Sequence, residues 1–211
     1  MFSTILFDID GTIIDTEEVI ISSLQEALSQ VTGREYTHAD LRYTLGIPSA
    51  EALDELHLAT AQRNEVAKVW PQRLARKQRQ VTVFATMRRT LAHLQSRGVK
   101  LGIITSKNDV ELENEFNRFG LNDYFDVIIT ASAARQPKPS GDPIMAAMSE
   151  LHANPDDTLY IGDSIYDMQS AHNAGINFAL ATWGAFDLSR FHSADYMLTR
   201  PETLLDLAII A

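Results

Sequence analysis

An α/β fold built on a parallel sheet is predicted by two observations and sharpened by a third. Short apolar, β-rich runs alternate with helix-spaced apolar residues from the first residues to nearly the last, which is the pattern of strands joined by helical crossovers. Between about Thr16 and Gln80 the alternation stops and only helical patterns occur. Third, several of the predicted strands end in residues that carry chemistry. The predicted architecture is a Rossmann-like, doubly wound, mostly parallel sheet with an inserted all-helical cap. Residues 1–15 and 82–211 form the core, and residues 16–81 form the cap.

Six strands are predicted, near TILFD (from Thr4), VKLGIIT (from Val99), FDVIIT (from Phe125), TLYIGD (from Thr158), INFALAT (from Ile176) and ADYML (from Ala194). The segments between them place apolar residues three and four apart: Met87, Leu91 and Leu94 in a helix near Ala85 to Ser96, then Leu112, Phe116 and Phe119, then Ile144, Met148 and Leu151. Such stripes are core faces. In the insertion the stripes are Ile20, Leu24, Ala27 and Val31, then Val66, Trp70 and Leu74. An insertion entered and left by single crossings suggests a hinge.

The chain of 211 residues is 45% hydrophobic, enough for a sizeable core. No apolar run approaches the roughly 20 residues needed to span a bilayer, and the tail LLDLAII is too short. The start lacks the basic and long apolar regions of a signal peptide, so a cytoplasmic protein is expected. Without cysteine there are no disulfides, thiolate nucleophiles or cysteine-bound metals. A net charge of -10 speaks against nucleic acid as a partner, because that requires a basic surface. A small phosphorylated metabolite is compatible with it where local cations overcome the global field.

Ligands of open parallel sheets bind beyond the carboxyl ends of the strands. The first strand ends in Asp8, Asp10, Gly11 and Thr12; the second in Thr105, Ser106 and Lys107. The loop after FDVIITA carries Arg135 and Lys138, and TLYIG runs into Asp163 and Ser164, with Asp167 four residues beyond Asp163. Taken singly, an aspartate after a strand caps a helix or closes a turn. Taken together, the ends of four strands would assemble carboxylates, a hydroxyl and a lysine at one edge, which is the signature of a site. If the first strand stays extended, Asp8 and Asp10 share a face.

Phosphoryl transfer fits this set. A carboxylate such as Asp8 can attack phosphorus and form an aspartyl-phosphate. Magnesium, held by oxygen ligands such as Asp8 and Asp163, would offset the repulsion between two anions. Lys138 would neutralise the transferring group, and the Thr105 hydroxyl would donate to it. Asp10 would protonate the leaving oxygen and later take a proton from water, and a neighbouring carboxylate would favour its protonated form.

These residues resemble the haloacid dehalogenase-like hydrolases, in the branch with a helical cap after the first strand. DIDGT (Asp8 to Thr12), Thr105 in IITSK, Lys138 in QPKPS, and GDSIYD with Asp163 and Asp167 match that family's four motifs in order. The resemblance implies Asp8 as nucleophile, Asp10 as acid and base, and Thr105, Ser106 and Lys138 as phosphate binders. It also implies magnesium on Asp8, the Asp10 carbonyl and Asp163, with Asp167 supporting that site from behind. A second aspartate favours phosphate over carbon–halogen chemistry. The implied activity is that of a phosphatase on a small phosphate monoester, similar to the phosphoglycolate phosphatases. A phosphomutase and a pyrophosphatase use the same groups, and a non-enzymatic sensor of a phosphorylated metabolite is the rival of another class.

Two departures from the family's pattern stand out. KPSGDP spaces its second proline two residues later than Lys-Pro-x-Pro, and FATM replaces the usual Pro-Gly on the return from the cap. Weaker expectations are a capping box from Asp15 to Glu18, a solvated helix end in RLARKQR (Arg73 to Arg79), and Arg42 in LRYTLGIP as a reader of the substrate. Arg135 is a weaker substitute for Lys138. The six histidines show no metal-ligand spacing.

Overall fold

The computed structural model describes residues 1–47 and 49–209. Pro48, Ile210 and Ala211 lie outside the described residues, so the end of LLDLAII and the proline of LRYTLGIP do too. In chain order the elements are β1 (Thr4–Phe7), β2 (Ile14–Asp15), α1 (Glu17–Thr32), α2 (His38–Leu41), α3 (Ser49–Glu55), α4 (Thr60–Lys77), β3 (Thr82–Val83), α5 (Met87–Ser96), β4 (Lys100–Ile104) and α6 (Asp109–Glu111). Then follow β5 (Val127–Ile129), α7 (Asp142–Leu151), β6 (Thr158–Gly162), α8 (Ile165–Asn173), β7 (Asn177–Ala181) and β8 (Tyr196–Leu198). Two compact units result, one of Met1–Ile14 with Val83–Ala211 and one of Asp15–Thr82.

The larger unit holds a six-stranded sheet in the order β5-β4-β1-β6-β7-β8, and every pairing in it is parallel. Counted along the sheet's own strands, this is the doubly wound order in which the path reverses between β1 and β6. All six predicted strands are present. In β1, β4, β6 and β7 the apolar residues are buried on both faces, Ile5, Leu6 and Phe7 completely, as parallel strands between helical layers require. One face packs Leu6, Ile104, Ile144, Met148, Tyr160 and Phe178 into a single cluster. β2 and β3 form a separate two-stranded sheet, and Ile14 of β2 also bridges to Asp10.

The stripe Leu112, Phe116 and Phe119 is corrected by the structure. The segment is not one α-helix: a single turn, α6, runs into a π-helical turn at Leu112–Phe116 and a 3-10 turn at Asn117–Phe119. Only Phe116 of the three is fully buried, because each change of helical pitch rotates the following side chains off a common face.

Between its ends the described part of the smaller unit has helices joined by loops and no strand, and it has its own core of Ile21, Leu24, Ala27, Leu28, Val66, Val69 and Trp70. The Trp70 indole donates to Ser23 Oγ at 3.0 Å, which satisfies the ring's polar end in an apolar setting. Among the described residues no helix is long and apolar enough to cross a membrane.

The capping box expected at Asp15 does not form. Thr16 precedes α1 without a side-chain cap, and Asp15 is an exposed residue of β2. The last turn of α4 carries Arg76 and Lys77, and Lys77 pairs with Glu26 at 2.8 Å. FATM also has a structural consequence: Thr86 adopts φ +66°, a left-handed conformation in which glycine is at ease and a β-branched residue is not. Its hydroxyl donates to Glu202.

Candidate active site

The site is built at the carboxyl edge of the sheet, around the reversal point between β1 and β6. β1 ends at Phe7, and the Asp8 N–H donates to Ile161 O of β6 at 2.9 Å. The chain then turns sharply, with the Ile9 carbonyl accepting from Thr12, Ile13 and Ile14. Gly11 takes φ +71°, and a Cβ there would lie 2.2 Å from Asp163 Oδ2. No side chain fits that position, which is how DIDGT brings its backbone against the end of β6. The Thr12 hydroxyl completes the junction by donating to Asp163 Oδ1 at 3.2 Å.

Four predicted residues converge. Lys138 Nζ lies 3.0 Å from Asp8 Oδ1 and 2.7 Å from Asp167 Oδ1. Carboxylate oxygens of Asp8, Asp163 and Asp167 all fall within 4.8 Å of one another. Asp167 is fixed from two sides. One oxygen closes a capping box at the start of α8, accepting from Ser164 N and Oγ. The other accepts from Lys138 and from the Tyr160 hydroxyl, at 2.8 Å for the latter.

The late proline does not displace Lys138. Pro143 sits in the first turn of α7, and the loop ahead of it is tied to α8 by Ser170 Oγ donating to Ser140 O and Asn173 Nδ2 to Pro139 O. The lysine, followed by a cis proline, is 9% exposed.

Burial sets the protonation balance. It drives the Asp8 carboxyl up to about 7, with Asp167 and Asp10 pushing the same way and Lys138 opposing. Asp163 is raised well above the usual carboxylate range, by burial first and then by Asp167 and Asp8. Burial works against the Lys138 charge, yet Asp167 and Asp8 outweigh it and hold the ammonium above its ordinary value. The Tyr160 phenol is raised by burial and by the same two carboxylates, so it is a donor at any working pH. Three buried carboxylates around one lysine are an all-oxygen donor set with surplus negative charge, and that set fits a hard divalent cation.

Other expectations are redirected. Asp10 does not share the Asp8 cluster. The extended strand stops at Phe7, and past the turn at Ile9 Asp10 pairs with Lys107 Nζ at 3.0 Å. The crowding of carboxylates therefore acts on Asp8 and Asp163. Thr105 is buried at the end of β4, and its hydroxyl accepts from the Lys107 N–H at 3.1 Å. Ser106 is exposed in the same loop. Arg135, with a side chain 83% exposed, pairs with Asp142 at the start of α7 and is no substitute for Lys138. Arg42 lies in the helical unit, where its Nε is 3.0 Å from Glu17. That partner already engages the cation nominated to read a substrate.

Tyr160 and Ser164, and likewise Lys107 and Glu115, were given no role from the sequence, although Ser164 and Lys107 stood among the strand-end residues. The first two were readable: a tyrosine interrupts an otherwise apolar strand, and Ser164 with Asp167 has capping-box spacing. Lys107 was visible directly after Thr105 and Ser106, but its partner Glu115 was not.

The chain is similar to known proteins in sequence and in fold. Residues 5–181 match the family model described as haloacid dehalogenase-like hydrolase. The pyrophosphatase PpaX of Bacillus velezensis is 30% identical over 209 residues, covering 97% of this chain and 95% of the relative. That of Bacillus pumilus is 31% identical, covering 96% and 94%. Among solved structures, a provisionally named phosphoglycolate phosphatase from Lactobacillus plantarum superimposes with a TM-score of 0.88 at 25% identity, covering 98% of this chain and 99% of its own.

Proposed function

Because the chain belongs to the haloacid dehalogenase-like hydrolases, we propose that it is a magnesium-dependent phosphatase of small phosphate monoesters, acting through an aspartyl-phosphate on Asp8. The observation that carries this reading is the buried Asp8 carboxylate, 3.0 Å from the Lys138 ammonium and within a triad of carboxylates. A nucleophile in such a setting has a cation ready for the phosphate it attacks.

Asp8, Asp163 and the Asp10 carbonyl would hold magnesium, which supplies positive charge to offset that of the phosphate. Asp8 attacks phosphorus, and the bond from phosphorus to the ester oxygen breaks. Asp10 delivers its proton to that departing oxygen. Lys138 neutralises the transferring group, and Thr105 Oγ, already anchored by the turn at Lys107, donates to one of its oxygens. Asp10 then takes a proton from the water that attacks the phosphoryl group, and Asp8 is released. Asp167 holds Lys138 in place. In this reading the core unit does the chemistry.

Two substrates have support. The structural likeness to the Lactobacillus protein favours a phosphoglycolate-like ester. The two relatives at 30% and 31% identity favour inorganic pyrophosphate as the second reading. Small phosphate esters do not cross membranes unaided, so we place the activity in the cytoplasm. Phosphate release from phosphoglycolate, pyrophosphate and a panel of sugar phosphates, with and without magnesium, is the test. Turnover is expected with magnesium only, and Asp8→Asn is expected to abolish it. Full activity of Asp8→Asn, or no release from any substrate, overturns the reading; sugar-phosphate isomers formed without phosphate release would point to a mutase.

A further inference from the structure

We propose that Lys107, braced by Glu115, is a positioning residue that holds Asp10 on the leaving-group side of the site. The inference rests on the phosphatase reading and assigns a function to a lysine outside the Asp8 cluster.

Lys107 is nearly buried, with 12% of its side chain exposed, and its ammonium bridges two carboxylates, Asp10 Oδ2 at 3.0 Å and Glu115 Oε2 at 2.5 Å. The backbone beneath it is fixed as well. Its N–H donates to Thr105 Oγ1, and its carbonyl accepts from Ala131 N in the loop after β5. A lysine side chain is long and loses much rotamer freedom when pinned at both ends, so this ordering needs strong, specific partners.

The second observation is local and independent. Glu115 lies within the π-helical turn Leu112–Phe116. Such turns are rare and interrupt an otherwise regular helix at some cost, frequently beside functional sites. The segment starts regularly, with Asn108 and Glu111 forming a complete capping box. The widened turn therefore follows a well-formed start, and it carries the residue that grips Lys107.

The arrangement suits a group that must give and then take a proton at one fixed point. A side chain on a tight turn, with 30% of its surface exposed, would otherwise sample several rotamers. Proton transfer requires hydrogen-bond reach of the departing oxygen, and small misplacements are costly. Lys107 fixes one Asp10 oxygen and leaves the other for the substrate. Glu115 takes up part of the ammonium charge, which keeps Lys107 from competing with Lys138 for the transferring phosphate.

The test exploits leaving-group chemistry. An alkyl phosphate needs its departing oxygen protonated, whereas p-nitrophenyl phosphate does not. kcat/KM reports only the steps through departure of that group, so later attack by water does not enter. Lys107→Met is expected to lower kcat/KM for alkyl phosphates by about 10²-fold, the lower range of general acid catalysis, and for p-nitrophenyl phosphate by less than about threefold. Inhibition by inorganic phosphate should be unchanged. Glu115→Gln should show the same selectivity more weakly, and Lys107→Arg should restore much of the loss. If Lys107→Met folds poorly, Glu115→Gln alone decides the matter. Equal losses on both ester types, or weaker inhibition by phosphate, would show that Lys107 binds phosphate and would overturn the inference while leaving the phosphatase reading intact. A wild-type protein that hydrolyses neither ester overturns both.

Discussion

Two charge clusters stand side by side at the sheet's carboxyl edge, and they are composed differently. The first sets Asp8, Asp163 and Asp167 around Lys138; the second sets Asp10 and Glu115 around Lys107. Fully ionised, the first is short of two positive charges and the second of one. The first is also the deeper, with Asp167 completely buried and Asp8 and Asp163 nearly so, whereas Asp10 retains solvent on one side. Buried surplus charge of one sign is unstable unless protons or a cation neutralise it. The first cluster is thus built to take up positive charge, and the second to hold a side chain in place.

Removing one carboxylate from each cluster should break this symmetry of appearance most visibly. Asp163→Asn takes away an oxygen ligand, and kcat/KM should fall by about 10³-fold, the several kcal/mol that a metal contributes to stabilising transferred charge. Magnesium binding, followed by calorimetry, should weaken in parallel. Glu115→Gln should leave magnesium binding unchanged within about twofold, since it touches no group of the first cluster. Equal loss of magnesium affinity in both variants would show that the clusters act as one.

The same contrast marks what the sequence could disclose. Strand positions were readable from apolar runs of the right length, and the convergence of Asp8, Lys138, Asp163 and Asp167 was readable because parallel strands must bring their ends to one edge. Asp10 was misplaced because the alternation rule holds only while the backbone is extended, and the carbonyl of Ile9 gathers three N–H groups just past the strand. Glu115 was hidden by the π-helical turn, since a spacing read at 3.6 residues per turn loses its register there. Arg42 illustrates a further limit: its pairing with Glu17 joins residues 25 apart, and no local pattern announces such a contact.

Proton uptake offers a second test. Asp8 titrates near 7 in the folded chain, above the ordinary aspartate value of about 3.9 that the unfolded chain would show. Between those values the folded state binds more protons than the unfolded state, so this group's contribution to stability is full at acid pH and is lost as pH rises through 7. Without metal, thermal stability should therefore decline from about pH 5 to pH 8, and Asp8→Asn should flatten the decline and be the more stable protein at pH 8. Magnesium competes with these protons, so its apparent affinity should strengthen over the same range. A metal-free protein whose melting temperature rises from pH 5 to pH 8 by this comparison would mean that the carboxylates are not crowded as described.

The smallest expected effect comes from the neutral member of the first cluster. The Tyr160 hydroxyl donates to Asp167 Oδ1 at 2.8 Å and lies 3.3 Å from Lys138 Nζ, yet Asp167 keeps Lys138 and Ser164 when the phenol is removed. Tyr160→Phe preserves the ring that packs in the core cluster and deletes one hydrogen-bonding group. The cost should be about 1 to 2 kcal/mol, read from urea denaturation of the metal-free protein, with kcat/KM reduced less than about tenfold. A larger loss of activity than of stability would mean that the phenol, and not Asp167, sets the position of Lys138, and the first cluster would then depend on a neutral group as the second does not.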